Sequence, residues 1–599
     1  MNVAKLLCGF VVLVALAGCA GNPPYHSPPQ SDANPAVPCS TEYQAIDNAV
    51  MQDVPSDVKC IFPVDKDGTK TAECLEGILE NEHDDPGKSC WTTSWEQHAQ
   101  YDLFFTEFDD EGWAADVRHQ MDRSPANRVS PSWVSEQDVL FRQLDRLVSP
   151  GEGGASTPLD IVIYTHGWHG SAEPNNSYVL LFRAFLQKLA IIDANSPARR
   201  HVVGIFVGWR GDSLLLPPHK IWSVWDRKQA AETVSVGDVH GLFSRLNNFY
   251  IANSCRVIME ESPGAAEAPD VSPVPIGGRP PSLSRPAAPF SIDCAGSFKP
   301  PARGAYSTLV GDPHRCGSVR MLTVGHSFGA LVNFRSLLGP LEVGMSTPDN
   351  SRVYSFGDLV VLLNPAFEGV RYEPLFSDAV RRHTYLDGSQ DPDGGGAQLP
   401  VLVTLQSQGD VATGYAFPAF RAVSSGFEHA VGPAENDERL HAVGWVDAFA
   451  THKLCLNTKA ADSVKGAETP GALCVDASYA PEDGCDSQGS LDDQIKCRVG
   501  SHWRAAGPEG RRPFRYDEFG KNTSVYMGNG MSLITLRDTQ GIQTSAYFPY
   551  WVIKVDKSVM ADHDDVWNEN TTEVILQLYR TIVDQRDTQD AAIQEACKK

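Results

Sequence analysis

Residues 320–332 read Arg320-Met321-Leu322-Thr323-Val324-Gly325-His326-Ser327-Phe328-Gly329-Ala330-Leu331-Val332, and the fold of the chain turns on this stretch. The apolar run over 320–324 predicts a strand, the residues after it a sharp turn, and those from Phe328 onward a helix. Gly325, Ser327 and Gly329 spell G-x-S-x-G. A serine on a tight, strained strand-to-helix turn needs neighbours without bulky side chains, and its hydroxyl then projects alone. Free N–H groups at the start of the helix, that of Phe328 among them, face negative charge developing on a bound substrate. That combination is a nucleophile with half an oxyanion hole. In a chain with 50 glycines among 599 residues the pattern is weak by itself, so its surroundings decide.

Outward from this turn the sequence repeats apolar strand, loop and helix, the signature of a parallel sheet covered on both faces. The expected class is therefore α/β, with a mostly parallel, doubly wound sheet. Strands are predicted at 160–165, 202–207, 320–324, 359–363, 401–405 and 550–555, and helices at 178–192 and 238–250, where apolar residues recur every three or four positions. Residues 39–150 read as an N-terminal extension with one extended run, 103–108, expected to be an edge strand. The main domain is expected over 151–583, followed by a tail over 584–599. Two stretches interrupt it: a proline-rich insertion at 262–303 and a mixed segment at 415–545. The latter lies before the last strand and carries Cys455, Cys474, Cys485 and Cys497 together with Phe417, Phe420, Trp445, Phe449 and Tyr479. Its position predicts a disulfide-containing cap over the sheet edge.

At the other end, Lys5 precedes an apolar run over 6–16 that is too short to span a bilayer and has the proportions of a secretory leader. It closes on Leu16-Ala17-Gly18-Cys19, which resembles the lipobox of bacterial lipoproteins. That resemblance implies removal of 1–18, a diacylated Cys19 and, because Ala20 rather than aspartate follows, the outer membrane as the address. Residues 19–38 are polar and proline-rich and are expected to form a flexible linker. Fifty Lys plus Arg against 75 Asp plus Glu leave a net charge of −25, which repels phosphate backbones and excludes nucleic acid as a partner. Of fourteen cysteines, those beyond the leader and the lipid site sit in an oxidising compartment and predict disulfides, with no zinc spacing among them.

The run 161–165 leads into His166-Gly167-Trp168-His169-Gly170, and 202–207 into Gly208-Trp209-Arg210-Gly211. A strand ending in His-Gly ahead of G-x-S-x-G resembles the α/β-hydrolase superfamily of serine hydrolases. With Tyr101-Asp102-Leu103-Phe104-Phe105, Trp225-Asp226-Arg227-Lys228 and the motifs HGW, GWRG and GHSFGA, the chain resembles a little-described group of bacterial secreted members. The resemblance implies that the loop after His166 supplies the second oxyanion donor, the N–H of Trp168. His166 itself is expected to brace the loop. His166, Gly167, Trp209, Arg210 and His326 are candidate pocket residues; His166 and His169 lack a third metal ligand nearby in sequence.

Serine needs a histidine to take its proton, and the histidine needs a carboxylate to fix its tautomer. In the family the chain order is serine, acid, histidine. Asp410 stands just beyond the strand two after the nucleophile strand, where the resemblance expects the acid; Asp387 and Asp391 precede that strand and are rivals. Among His429, His441, His452, His502 and His563, only His563 follows the last strong strand and precedes a helical run, 566–583. The resemblance then implies a membrane-anchored esterase or lipase-like enzyme, with Ser327, Asp410 and His563 as the triad and no metal or organic cofactor. Its substrate would be an ester or other acyl compound. An acyltransferase, thioesterase or amidase on the same triad stays open, as does a non-catalytic envelope lipoprotein.

Overall fold

A computed structural model describes residues 24–28, 37–38 and most of 93–598; the larger stretches outside it are 39–92, 118–133, 150–156, 212–222, 261–305, 311–316, 387–396 and 457–523. One twelve-stranded sheet organises the molecule. Its strands are β1 (Val37–Pro38), β2 (Trp95–Gln97), β3 (Tyr101–Glu107), β4 (Leu159–Thr165), β5 (His201–Gly208), β6 (Val319–His326), β7 (Leu359–Leu363), β8 (Leu402–Ser407), β9 (His452–Leu456), β10 (Ser524–Tyr526), β11 (Met531–Thr535) and β12 (Tyr550–Val555). Their order across the sheet is β1-β2-β3-β5-β4-β6-β7-β8-β12-β9-β11-β10. Every pairing from β3 to β9 in that order is parallel, while β2 on β3, and β10 and β11 at the far side, are antiparallel. The chain is thus an α/β protein with a mixed, mostly parallel sheet.

The strands are apolar on both faces because both faces are covered. Ile161 and Ile163 of β4 join one core with α1 (Glu136–Val148), α4 (Asp238–Ala252) and α5 (Phe328–Met345). Val162 and Tyr164, the alternate residues, join a second core with α2 (Ser177–Ala194) and α9 (Glu569–Lys598). This period-two alternation on a strand between two helical layers is what a doubly covered sheet requires.

Strands 359–363 and 550–555 begin and end where the sequence predicts, and the others differ by one or two residues. Four expectations need correction. The run expected at 103–108 as an edge strand is β3, an interior strand buried along its whole length, with β2 on one side and β5 on the other. The three residues of β2 are too few to show a period in sequence, so its covering role was invisible. Within the expected cap, β9, β10 and β11 extend the sheet beyond β12, and Phe449 packs on Tyr372 and Phe376 in the main core. Cys455 lies in β9 and is disulfide-bonded, whereas Cys474, Cys485, Cys497 and Tyr479 lie outside the described residues.

In the expected linker, residues 24–28 are docked on the body: His26 is fully buried, stacked on Phe105 at 3.8 Å. Its backbone N–H and ring Nδ1 reach Glu107 Oε1 at 2.8 and 2.9 Å. Finally, α9 runs to Lys598, well past the expected end of the helix at 583, so the expected tail is part of it. The leader, Cys19 and the proline-rich insertion lie outside the described residues. Among the described residues no helix is long and apolar enough to cross a membrane.

Candidate active site

The strand β6 and the helix α5 meet at Ser327, whose backbone sits at φ 54° and ψ −119°, a conformation that a side chain disfavours. The surrounding glycines make this turn possible. A Cβ on Gly325 would meet the Asn333 side chain and the Ala330 Cα at 2.6 and 2.8 Å, and one on Gly329 would run into the backbone oxygens of Thr165 and His166 at 2.2 and 2.3 Å. Thus α5 presses directly on the end of β4. A Cβ on Gly167 would lie 2.8 Å from the Ser327 Cβ, so the His-Gly-Trp loop is packed against the serine. The turn is further held by the Ser327 N–H to the Leu363 carbonyl at 3.0 Å and by the Ala366 N–H to the Ser327 carbonyl at 3.2 Å.

The three residues singled out in sequence come together here. His563 Nε2 is 2.8 Å from Ser327 Oγ, and His563 Nδ1 is 2.8 Å from Asp410 Oδ2. With the carboxylate accepting from Nδ1–H, Nε2 is left to accept the serine hydroxyl. Asp410 is buried; burial opposes its charge, but the His563 ring and the donors around it outweigh that and hold the carboxyl at about 2. The donors are the Thr413 hydroxyl, the Thr413 N–H to Oδ1 at 3.0 Å and the Gln406 amide to Oδ2 at 3.1 Å. Burial likewise opposes a charged His563, yet Asp410 and the neighbouring Asp564 and Asp562 raise its pKa above the usual histidine value.

Sequence reasoning missed Asn364 and, for the pocket candidate His326, its part in aiming the histidine. The His563 carbonyl accepts two hydrogen bonds, from His326 Nε2 at 2.9 Å and from Asn364 Nδ2 at 2.9 Å, and Asn364 also donates to the Asp562 carbonyl at 3.0 Å. Asn364 follows β7 with φ 42°, and its Oδ1 accepts from the Ser407 N–H at 2.8 Å. It therefore ties the ends of β7 and β8 to the histidine loop. Trp445 donates through Nε1 to Thr413 Oγ1 at 2.9 Å, which extends the support of the acid by one shell. Asn364-Pro365 right after an apolar strand, and Gln406-Ser407 right before the acid, are the signals that were there to be read: polar residues where the strand pattern runs out at the functional edge.

The other candidates fall into place. His166 is fully buried, its Nδ1 donates to the Gly167 carbonyl at 2.9 Å, and its Nε2 accepts from the Trp209 N–H at 3.2 Å. Burial pushes it down to about 4, so it is a neutral brace for the loop, as expected from sequence. Trp209 is part of that brace, stacked on His166 and donating to its carbonyl. Arg210 gives its carbonyl to Arg227. His326 is buried and also pushed down to about 4, first by burial and then by the charge of His563. Among the described residues no acceptor takes the backbone N–H of Trp168 or that of Phe328.

His441 is on the far end of α8 (Pro433–Leu440) with Asp437, and His452 packs at a tilt on Trp551, so neither meets Ser327. Asp387, Asp391 and His502 lie outside the described residues. Donor atoms of His326, His563 and Asp564 come within 4.8 Å of one another, but these groups already bond the His563 carbonyl, Ser327 and the Tyr178 hydroxyl. The constellation can draw a proton from the Ser327 hydroxyl and hold the imidazolium that results. Comparison with protein-family models, with curated proteins and with solved structures found no match.

Proposed function

We propose that this chain is a serine hydrolase of the α/β-hydrolase superfamily, anchored by lipid on Cys19 and cleaving carboxylic esters. The observation that carries the reading is the relay Ser327 to His563 to Asp410, two contacts of 2.8 Å each, built on a strained strand-to-helix turn. A strained φ at the residue bearing the hydroxyl is a cost that packing alone gives no reason to keep.

In this reading Ser327 Oγ attacks the ester carbonyl carbon while His563 Nε2 takes its proton. The oxyanion lies against the N–H groups of Trp168 and Phe328. The tetrahedral species collapses, the carbon–oxygen bond to the alcohol breaks, and His563 returns the proton to the departing oxygen. Water then repeats the sequence on the acyl-serine, with His563 again as base, and releases the acid. Asp410 stays ionised throughout, as its low pKa requires, and stabilises the imidazolium in each half.

The test is hydrolysis of a panel of p-nitrophenyl esters of increasing acyl length by the purified protein and by Ser327→Ala. The reading expects turnover with a preferred chain length, abolished in the variant. No turnover of any ester by a folded wild-type protein, or equal turnover by the variant, would sink it.

A further inference from the structure

The docked segment 24–28 fixes where the lipid leaves the body. Glu107, which holds the Tyr25 and His26 N–H groups and the His26 ring, is the last residue of β3. In the sheet register Glu107 pairs with Gly208, and one step back Val207 pairs with Thr165 and Thr165 with Gly325. The anchor point is therefore level with the nucleophile turn, at the carboxyl edge of the parallel strands. Three strand spacings separate β3 from β6, about 14 Å. Tyr25 lies beside Ser171, Glu173 and Arg210, which follow β4 and β5 at that same edge.

From Cys19 to His26 the chain reaches at most about 25 Å even when fully extended, less than half the roughly 60 Å breadth of a body of this length. A lipid on Cys19 leaves the body most directly at the carboxyl edge, because reaching the amino edge would take a fully extended chain laid along the whole length of the strands. The surface that the tether would pull down matches an apolar partner. Trp113, Val411 and Tyr415 are half to three-quarters exposed, and all three follow the carboxyl ends of strands, Trp113 after β3 and the other two after β8. Aromatic residues with a polar tip favour the interface between water and hydrocarbon. Asp109 and Glu111 follow β3, and Asp562 and Asp564 follow β12, at this edge, while Asp110 is paired with Arg227; the excess of acid repels an anionic surface and not a zwitterionic one.

We infer that the carboxyl edge of the sheet, with Ser327, His563 and the exposed Trp113, Val411 and Tyr415, rests on a zwitterionic phospholipid surface, so that acyl substrates enter from the membrane side. The inference rests on the lipid anchorage at Cys19 proposed above. It adds that His26 and Glu107 convert a loose tether into an oriented one.

The experiment uses the full lipoprotein in vesicles of phosphatidylethanolamine and phosphatidylcholine, with the photoreactive residue benzoylphenylalanine at position 113, 415 or 343. Val343 is the control: it is exposed, but it sits at the far end of α5, which returns from the turn toward the amino edge. The expected result is lipid adducts at 113 and 415, and loss of adducts to background at 343. Vesicle-bound protein with adducts at 343 equal to those at 415 overturns the orientation. Crosslinks from 113 and 415 to a second copy of the chain, instead of lipid, overturn the choice of partner. Protein that fails to float with the vesicles overturns the anchorage and, with it, the proposal, while ester turnover measured in detergent reports separately on the hydrolase.

Discussion

At the amino edge of the sheet Arg320 is paired with Asp587 and lies 3.9 Å from Asp160, Arg200 is 3.4 Å from Asp587, and Arg586 bonds Asp358 and the Val319 carbonyl. Asp358 in turn takes the Met321 N–H at 2.7 Å and the Tyr250 hydroxyl at 2.7 Å. At the carboxyl edge, by contrast, lie three of the four non-glycine residues at positive φ among the described residues, Ser327, Asn364 and His169, the fourth being Arg199 ahead of β5, and the Trp168 and Phe328 N–H groups have no acceptor among the described residues. One end of the strands is sewn to α9 by charges that answer one another; the other carries most of the strain and the free donors. The difference teaches where stability ends and chemistry begins. Breaking a paired buried charge costs several kcal/mol of folding, whereas strain and unfilled donors are tolerated where a substrate completes them. A cleft between Tyr250, Asp358, Gln398 and Arg586 opens at the amino edge, about 25 Å of strand from Ser327, and takes no part in the proposed chemistry.

The contrast breaks most sharply at the triad. Ser327→Ala and His563→Ala are each expected to lower kcat by roughly 10⁶-fold, and Asp410→Asn by roughly 10⁴-fold, with the Tm of all three near that of the parent. Steady-state kinetics and a thermal melt check this together; a large fall in Tm with Ser327→Ala would mean that the carboxyl edge also supports the fold. At the amino edge the expectation is inverted. Arg320→Ala takes the guanidinium from Asp160 and leaves Asp587 with Arg200 alone, and should cost about 3 kcal/mol of stability, read as a lower urea midpoint, while kcat at a temperature where the protein stays folded is kept.

A smaller effect is expected where the two roles meet. Asn364→Ala removes donors from the Asp562 and His563 carbonyls, and a slightly misplaced imidazole should lower kcat about 10- to 100-fold with KM unchanged. A change in KM alone would make Asn364 a substrate contact instead of a positioning residue. The smallest effect concerns pH. In the proposed mechanism His563 acts as base only when neutral, and its pKa is raised, so the rate should fall as pH drops through a value above the ordinary histidine 6.5. Asp562→Asn removes one of the charges that raise it and should move that limb to lower pH. A limb that stays put would show that Asp562 does not act on the ring.

Much of this was legible because local pattern and global fold agree. The run 359–363 is five apolar residues in a row, Leu359 to Leu363, and becomes β7 without adjustment. Ser327, Asp410 and His563 could be picked out because each stands beyond the carboxyl end of an apolar strand, where the period stops. What escaped was held by partners far away in the chain. His26 between prolines has no periodicity to read, and its burial depends on Glu107, 81 residues on. The interior place of β3 depended on three residues of β2, and the sheet strands inside 415–545 on the antiparallel match of β9 with β11, more than 70 residues apart. Long-range pairing of short segments leaves little trace in a single sequence.

The central claim is that Ser327 is the nucleophile, and a fluorophosphonate tests it most directly, because phosphonylation needs only the activated hydroxyl and no knowledge of the natural ester. After labelling and proteolysis, mass spectrometry should find the adduct on the peptide that contains Gly325 to Gly329, with label lost in Ser327→Ala and in His563→Ala. An adduct on another serine, or none on a folded protein, would contradict the account.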